Sequence, residues 1–151
     1  MYLPCSGIVN RQLICDSILN EVDAWLKRYH GYSVVIGGDF NVNMDFSDSL
    51  SSSIHDFVNR YRLLRCDDLF PSKKRPTYVN AALNHESFID YIFVTPNCQV
   101  SYLCLTDYGI NFSDHLPLLA VINYPTALSD KKNLKDCKDR KTTQLVKMGS
   151  S

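Results

Sequence analysis

The chain has 151 residues, 45% of them hydrophobic and 21% charged, which suits one folded domain and is too apolar for a disordered polymer. No apolar run reaches the ~18–20 residues of a membrane span, and the opening Met1-Tyr2-Leu3-Pro4-Cys5 lacks the basic head and apolar stretch of a secretory leader, so a soluble intracellular protein with no membrane partner is expected. The 16 basic and 16 acidic residues cancel, which at face value argues against a nucleic-acid partner, yet a net +4 from Tyr124 onward (seven Lys/Arg, three Asp) offsets −4 over residues 1–123.

In chain order, Ile14, Ile18, Val22, Trp25, Leu26 and Tyr29 recur at steps of three and four, which predicts a helix over residues 11–30 with this stripe buried and His30-Gly31 as its stop. Val34-Val35-Ile36 follows as a short β-branched run, expected to be a strand buried on both faces. Serines 51–53 can cap a second helix whose stripe is Ile54, Phe57, Val58 and Tyr61. Residues 63–70 lead to Pro71, and Ser72-Lys73-Lys74-Arg75-Pro76 reads as a basic loop. Strands are predicted at 77–79, 88–95, 98–105 and 116–122, with a loop over 109–115 before the last. Beyond Pro125 apolar density collapses, so residues 1–123 are expected to form the domain and 124–151 a flexible, disordered basic tail.

The six cysteines (5, 15, 66, 98, 104 and 137) contain no Cys-x-x-Cys pair, and the four histidines are equally scattered. Reduced thiols and no structural zinc are expected.

Three polar segments stand at strand ends. Gly37-Gly38-Asp39-Phe40-Asn41 follows the first strand, where ligands collect in α/β sheets, and strand alternation places Asp39 and Asn41 on one face. The same residues also suit an ordinary capped turn. In Phe88-Ile89-Asp90-Tyr91-Ile92-Phe93-Val94, a carboxylate inside an apolar strand demands a compensating partner, which a backbone amide could also supply. Ser113-Asp114-His115 opens the last strand, and Asp90 with His115 could form a carboxylate–imidazole pair.

This ordered set, Gly38 to Asn41, Asp90-Tyr91 and Ser113 to His115, resembles the endonuclease/exonuclease/phosphatase superfamily, and Tyr2-Leu3-Pro4 resembles its Tyr-x-Pro segment. Ile89 to Phe93 with Ser113 to Leu118 is most similar to the apurinic-type endonuclease domains of non-long-terminal-repeat retrotransposons. The resemblance implies an α/β fold that is the C-terminal half of a four-layer α/β/β/α sandwich of the DNase I type. It further implies a Mg²⁺-dependent (or Mn²⁺-dependent) phosphodiester hydrolase acting on DNA, and hence a nuclear setting. Carried over residue by residue, Asp39 orients or deprotonates the attacking water and Asn41 holds it by hydrogen bonds. His115, fixed by Asp90, contacts the phosphate, Asp114 binds metal or assists the leaving oxygen, and Tyr2 supports the phosphate from another side. Asp39, Asn41, Asp114 and His115 would be the metal-binding set.

The resemblance also implies that this chain holds roughly the second half of the family domain. Relatives carry upstream of the Tyr-x-Pro segment an Asn and a Glu that is the principal metal ligand, and neither Glu21 nor Glu86 stands at that position. A missing N-terminal half is therefore an expected partner, and the chain alone is expected to be weakly active or inactive. Two alternatives remain open: a non-catalytic remnant that binds nucleic acid through Lys73-Lys74-Arg75 and the tail, and a phosphatase or sphingomyelinase relative.

Overall fold

The computed structural model describes residues 1–106 and 113–125. The expected tail over 126–151 and most of the loop over 109–115 lie outside the described residues.

Helix α1 spans Arg11–Arg28, but the face it buries is rotated from the predicted stripe. Cys15, Leu19, Asp23 and Leu26 are buried, whereas Ile14, Trp25 and Tyr29 are exposed. The polar contacts of Asp23, itself buried while its cationic partners are exposed, account for the difference. The Asp23 carboxylate receives Lys27 Nζ at 2.5 Å, Tyr61 Oη at 2.5 Å and Arg60 Nη1 at 3.2 Å, and the last two come from the end of the neighbouring helix. Hydrophobic periodicity cannot register such a contact. Val22, Trp25, Leu26 and Tyr29, with Tyr32 and Val34, line an open apolar cavity of about 270 Å³.

Helix α2 (Ser49–Arg60) starts earlier than the serines suggest, because Asp48 is its N-cap and accepts the Ser51 amide at 2.6 Å. Ser52 and Ser53 instead turn their hydroxyls back onto the carbonyls four residues earlier. It buries Ile54, Phe57 and Val58 of the predicted stripe, together with Leu50, while Tyr61 stands half-buried at its C-cap.

Strand β1 covers Val35–Asp39 and alternates rather than being buried on both faces; Val35 is exposed and Ile36 buried. It lies at the margin of a three-stranded antiparallel sheet of order β1-β5-β2, in which β2 is Leu64–Arg65 and β5 is Asp90–Val94. The predicted strand over 88–95 is β5, shortened at both ends, and it is preceded by an unpredicted strand β4 (His85–Ser87). β3 (Tyr78–Asn80) pairs with β4 as a hairpin, and β6 (Gln99–Leu105) pairs with β7 (Leu118–Asn123). Residues 63–70, for which no element is predicted, supply β2 and a 3-10 turn at Cys66–Leu69.

The central strand β5 is buried at every position, because its two faces serve two cores. Tyr91 and Phe93 pack with Phe40, Leu19, Ile54 and Phe57 beneath the helices, while Ile92 and Val94 pack with Cys66, Leu103 and Leu118 against the β6–β7 pair. Each such side chain contributes about 1.5–3 kcal/mol on burial. The Tyr91 hydroxyl pins this layer, accepting the Met44 amide and donating to the Phe88 carbonyl, both at 2.8 Å. The order is helices, sheet, second sheet, and the site lies at one end of the space between the two sheets.

Candidate active site

The β1–β5 register pairs Asp39 with Asp90. The Phe40 amide donates to the Ile89 carbonyl, so the 39–90 pair is of the non-hydrogen-bonded kind, in which cross-strand side chains approach most closely. Strand alternation sends both carboxylates to the face opposite Ile36 and Phe40, toward the layer that carries His115.

Asn41 does not continue the strand. Its φ of 52° is left-handed, a conformation that Asn adopts more readily than most residues, and it folds back onto Asp39. The Asn41 amide donates to Asp39 Oδ1 at 2.7 Å, and its Nδ2 donates to Asp39 Oδ2 at 2.9 Å and to the Leu3 carbonyl at 2.8 Å. The two readings of this segment, turn and functional site, thus coincide: the turn orients the carboxylate. Arg11, which the sequence offered no reason to single out, locks the arrangement by donating to the Asn41 and Pro4 carbonyls at 2.6 and 2.9 Å.

His115 Nδ1 lies 2.8 Å from Asp90 Oδ2, and Nε2 lies 3.9 Å from Asp39 Oδ2. With Asp90 ionised, Nδ1 carries the proton and donates, which turns Nε2 toward Asp39. The Tyr78 ring packs edge-on against the imidazole at 5.2 Å. One ligand atom each from Asp39, Asp90 and His115 falls within 4.8 Å of the others. Burial pushes the Asp39 carboxyl above the usual carboxylate range, and the Asp90 charge adds to this against the opposing Asn41 amide and His115. A cation placed among these three groups would relieve both effects. The two carboxylates supply the oxygen donors that a hard divalent cation takes.

Among the other expected site residues, Tyr2 forms a parallel bridge to Asp39, and the Leu3 amide donates to the Asp39 carbonyl at 2.9 Å. Its side chain is exposed. Asp114 is exposed and gives its backbone carbonyl to the Val79 amide at 2.8 Å. The three-residue group does not include its carboxylate.

A family model described as endonuclease-reverse transcriptase, of the endonuclease/exonuclease/phosphatase type, matches residues 1–119. The chain belongs to this family. Among solved structures it is similar to a mannosyl-6-phosphatase of Bacteroides thetaiotaomicron, with a TM-score of 0.54 and 20% identity over 78% of this chain and 48% of that one. It is also similar to an endonuclease/exonuclease/phosphatase family protein of the same organism, with a TM-score of 0.53 and 22% identity over 76% of this chain and 46% of the other. The chain thus spans about half the length of these structures. The fold is the DNase I-like one, mixed α/β with antiparallel sheets. No curated protein matches this chain. Members of the family are hydrolases of phosphate esters, and divalent-metal dependence is general among them. Among the described residues, no helix is long and apolar enough to cross a membrane.

Proposed function

We propose that this chain carries the catalytic carboxylates and histidine of a divalent-metal DNA endonuclease of the retrotransposon type. The observation that supports this most is the convergence of Asp39, Asp90 and His115 within 4.8 Å. When bound, Mg²⁺ or Mn²⁺ supplies charge neutralisation for an anionic diester. Asp39, oriented by both Asn41 contacts, accepts a proton from the attacking water. Asp90 holds His115 by Nδ1; with both ring nitrogens protonated, His115 would donate from Nε2 to a phosphoryl oxygen as charge develops there. Tyr2, whose backbone is bridged to Asp39, and Asp114, adjacent to His115 in the chain, are assigned to the phosphate and the leaving oxygen.

The remaining half of the domain is proposed as the partner. Met1 and Leu3 donate to the Gly37 and Asp39 carbonyls along the outer edge of β1, and the same register turns the Val35 peptide groups to that edge. A further parallel strand fits the pairing there.

Nicking of supercoiled plasmid and of abasic-site DNA with Mg²⁺ tests the reading. The chain alone is expected to nick weakly, and the chain with the companion half strongly. Asp39→Ala and His115→Ala should each cost about 10²–10⁴-fold. If the reconstituted domain hydrolyses mannose 6-phosphate or sphingomyelin but not DNA, the endonuclease reading fails. Salt-sensitive DNA binding that survives both substitutions, without turnover, would favour a binding remnant.

A further inference from the structure

We infer that Thr77 is a positioning residue for the Asp90–His115 pair, setting the distance between them from beneath. This rests on the hydrolase reading of the site.

Thr77 is fully buried and stands one residue before β3. Its Oγ1 accepts two amide hydrogens, from Ile89 at 3.0 Å and from Asp90 at 3.1 Å. Its own amide donates to the Ser87 carbonyl at 3.0 Å, and its carbonyl accepts the Leu116 amide at 2.6 Å. One residue therefore holds the chain immediately before and at Asp90, and also the chain immediately after His115. The contacts are not those of an ordinary strand. At Phe88-Ile89 the chain leaves the β3–β4 hairpin to enter β5, and in that gap the Ile89 and Asp90 amides take a hydroxyl as their acceptor in place of a strand carbonyl.

A hydroxyl can satisfy two donors because its oxygen has two lone pairs. Valine has nearly the same shape and offers none, so Thr77→Val would strand two buried amides beside the catalytic carboxylate, whereas Thr77→Ser would keep both bonds. Asp90 is bracketed on its other side by β1 through the Asp39 pairing. Its main chain therefore has two supports, and loss of the Thr77 support alone lets its carboxylate move relative to His115.

The test is NMR on the full chain without added metal, at one fixed pH, so that its outcome does not depend on turnover. Two signals are read: exchange of the Ile89 and Asp90 amides, and the ¹⁵N signature of the His115 imidazole, which reports whether Nδ1 holds its proton toward Asp90. In Thr77→Val we expect exchange at both amides to quicken about tenfold or more and the His115 signature to shift toward mixed tautomers. Thr77→Ser should restore both. A folded Thr77→Val with an unchanged His115 signature overturns the inference, as does Thr77→Ser shifting it as far as valine does. Should Thr77→Val not fold, the serine variant decides: a native His115 signature supports the inference and a displaced one overturns it. Absence of hydrolysis in every variant would count against the hydrolase reading and leave this result standing.

Discussion

Asp39 and Asp90 face each other across β1 and β5, and His115 bridges them, with its Nδ1 2.8 Å from Asp90 and its Nε2 3.9 Å from Asp39. Two like charges held this close are a cost to the metal-free fold that a cation removes. Mg²⁺ or Mn²⁺ should therefore raise the Tm, by the equivalent of about 2.7 kcal/mol when the cation is at 100 times its Kd. Asp39→Asn and Asp90→Asn should each raise the metal-free Tm and blunt the response to metal. A wild-type Tm indifferent to both ions would contradict the cation site.

Proton competition gives that site a pH dependence. Burial, then the Asp90 charge, holds the Asp39 pKa above the usual carboxylate range. Cation affinity, read by calorimetry with Mn²⁺, should start to weaken at a higher pH than for an ordinary exposed carboxylate as the solution is acidified. Affinity that is flat until the ordinary carboxylate range would show that Asp39 is not a ligand.

Asp23 has the opposite shift. The hydrogen bond from Lys27, followed by that from Tyr61, holds its carboxyl down at about 2. Because the folded value lies below the unfolded value of about 3.9, its contribution is fully present above about pH 4 and is lost as pH falls through about 2. Asp23→Asn should lower the Tm at pH 7, and the gap to wild type should close in that acidic window. A gap that stays constant down to pH 2 would assign the effect to packing.

Arg65 lies almost wholly buried, 2.9 Å from Asp67, whose side chain is 1% exposed. It also contacts Asp45 and Asp68 and lies over the Tyr91 ring. Arg65→Ala leaves a buried carboxylate without its closest cation and should destabilise the chain by about 3–5 kcal/mol at pH 7. Burial raises the Asp67 pKa despite Arg65, so Asp67's own contribution is present below its unfolded pKa and lost as pH rises through the folded one. The Arg65→Ala defect should shrink on acidification, and Asp67→Asn should partly rescue it in denaturant titrations.

At Gly38 a Cβ would stand 1.6 Å from the Met1 carbonyl oxygen. Gly38→Ala must push the Met1–Leu3 segment off β1, at a cost of about 1–3 kcal/mol. The Leu3 amide, which donates to Asp39, should lose exchange protection. If that protection persists, the segment has moved without leaving the site.

The sequence by itself carried both helices, strands β1, β3, β5, β6 and β7, the three polar segments and the family, because hydrophobic period and short ordered motifs are local properties of the chain. It placed Asp39, Asn41, Asp90 and His115 at strand ends, and the fold brings all four together. It could not show which face of α1 is buried, since the Asp23–Arg60 ion pair and the hydrogen bond that Tyr61 donates to Asp23 fix the rotation against the apolar stripe. Nor could it show that Asn41 turns back on Asp39, that Arg11 clamps this turn, or that Thr77 joins the chain at Asp90 to the chain at His115. The Asn41–Asp39 turn is local but rests on side-chain hydrogen bonds, and the Arg11–Asn41 and Thr77–Asp90 contacts join residues far apart in sequence; neither kind leaves a periodic trace, so tertiary packing decides them.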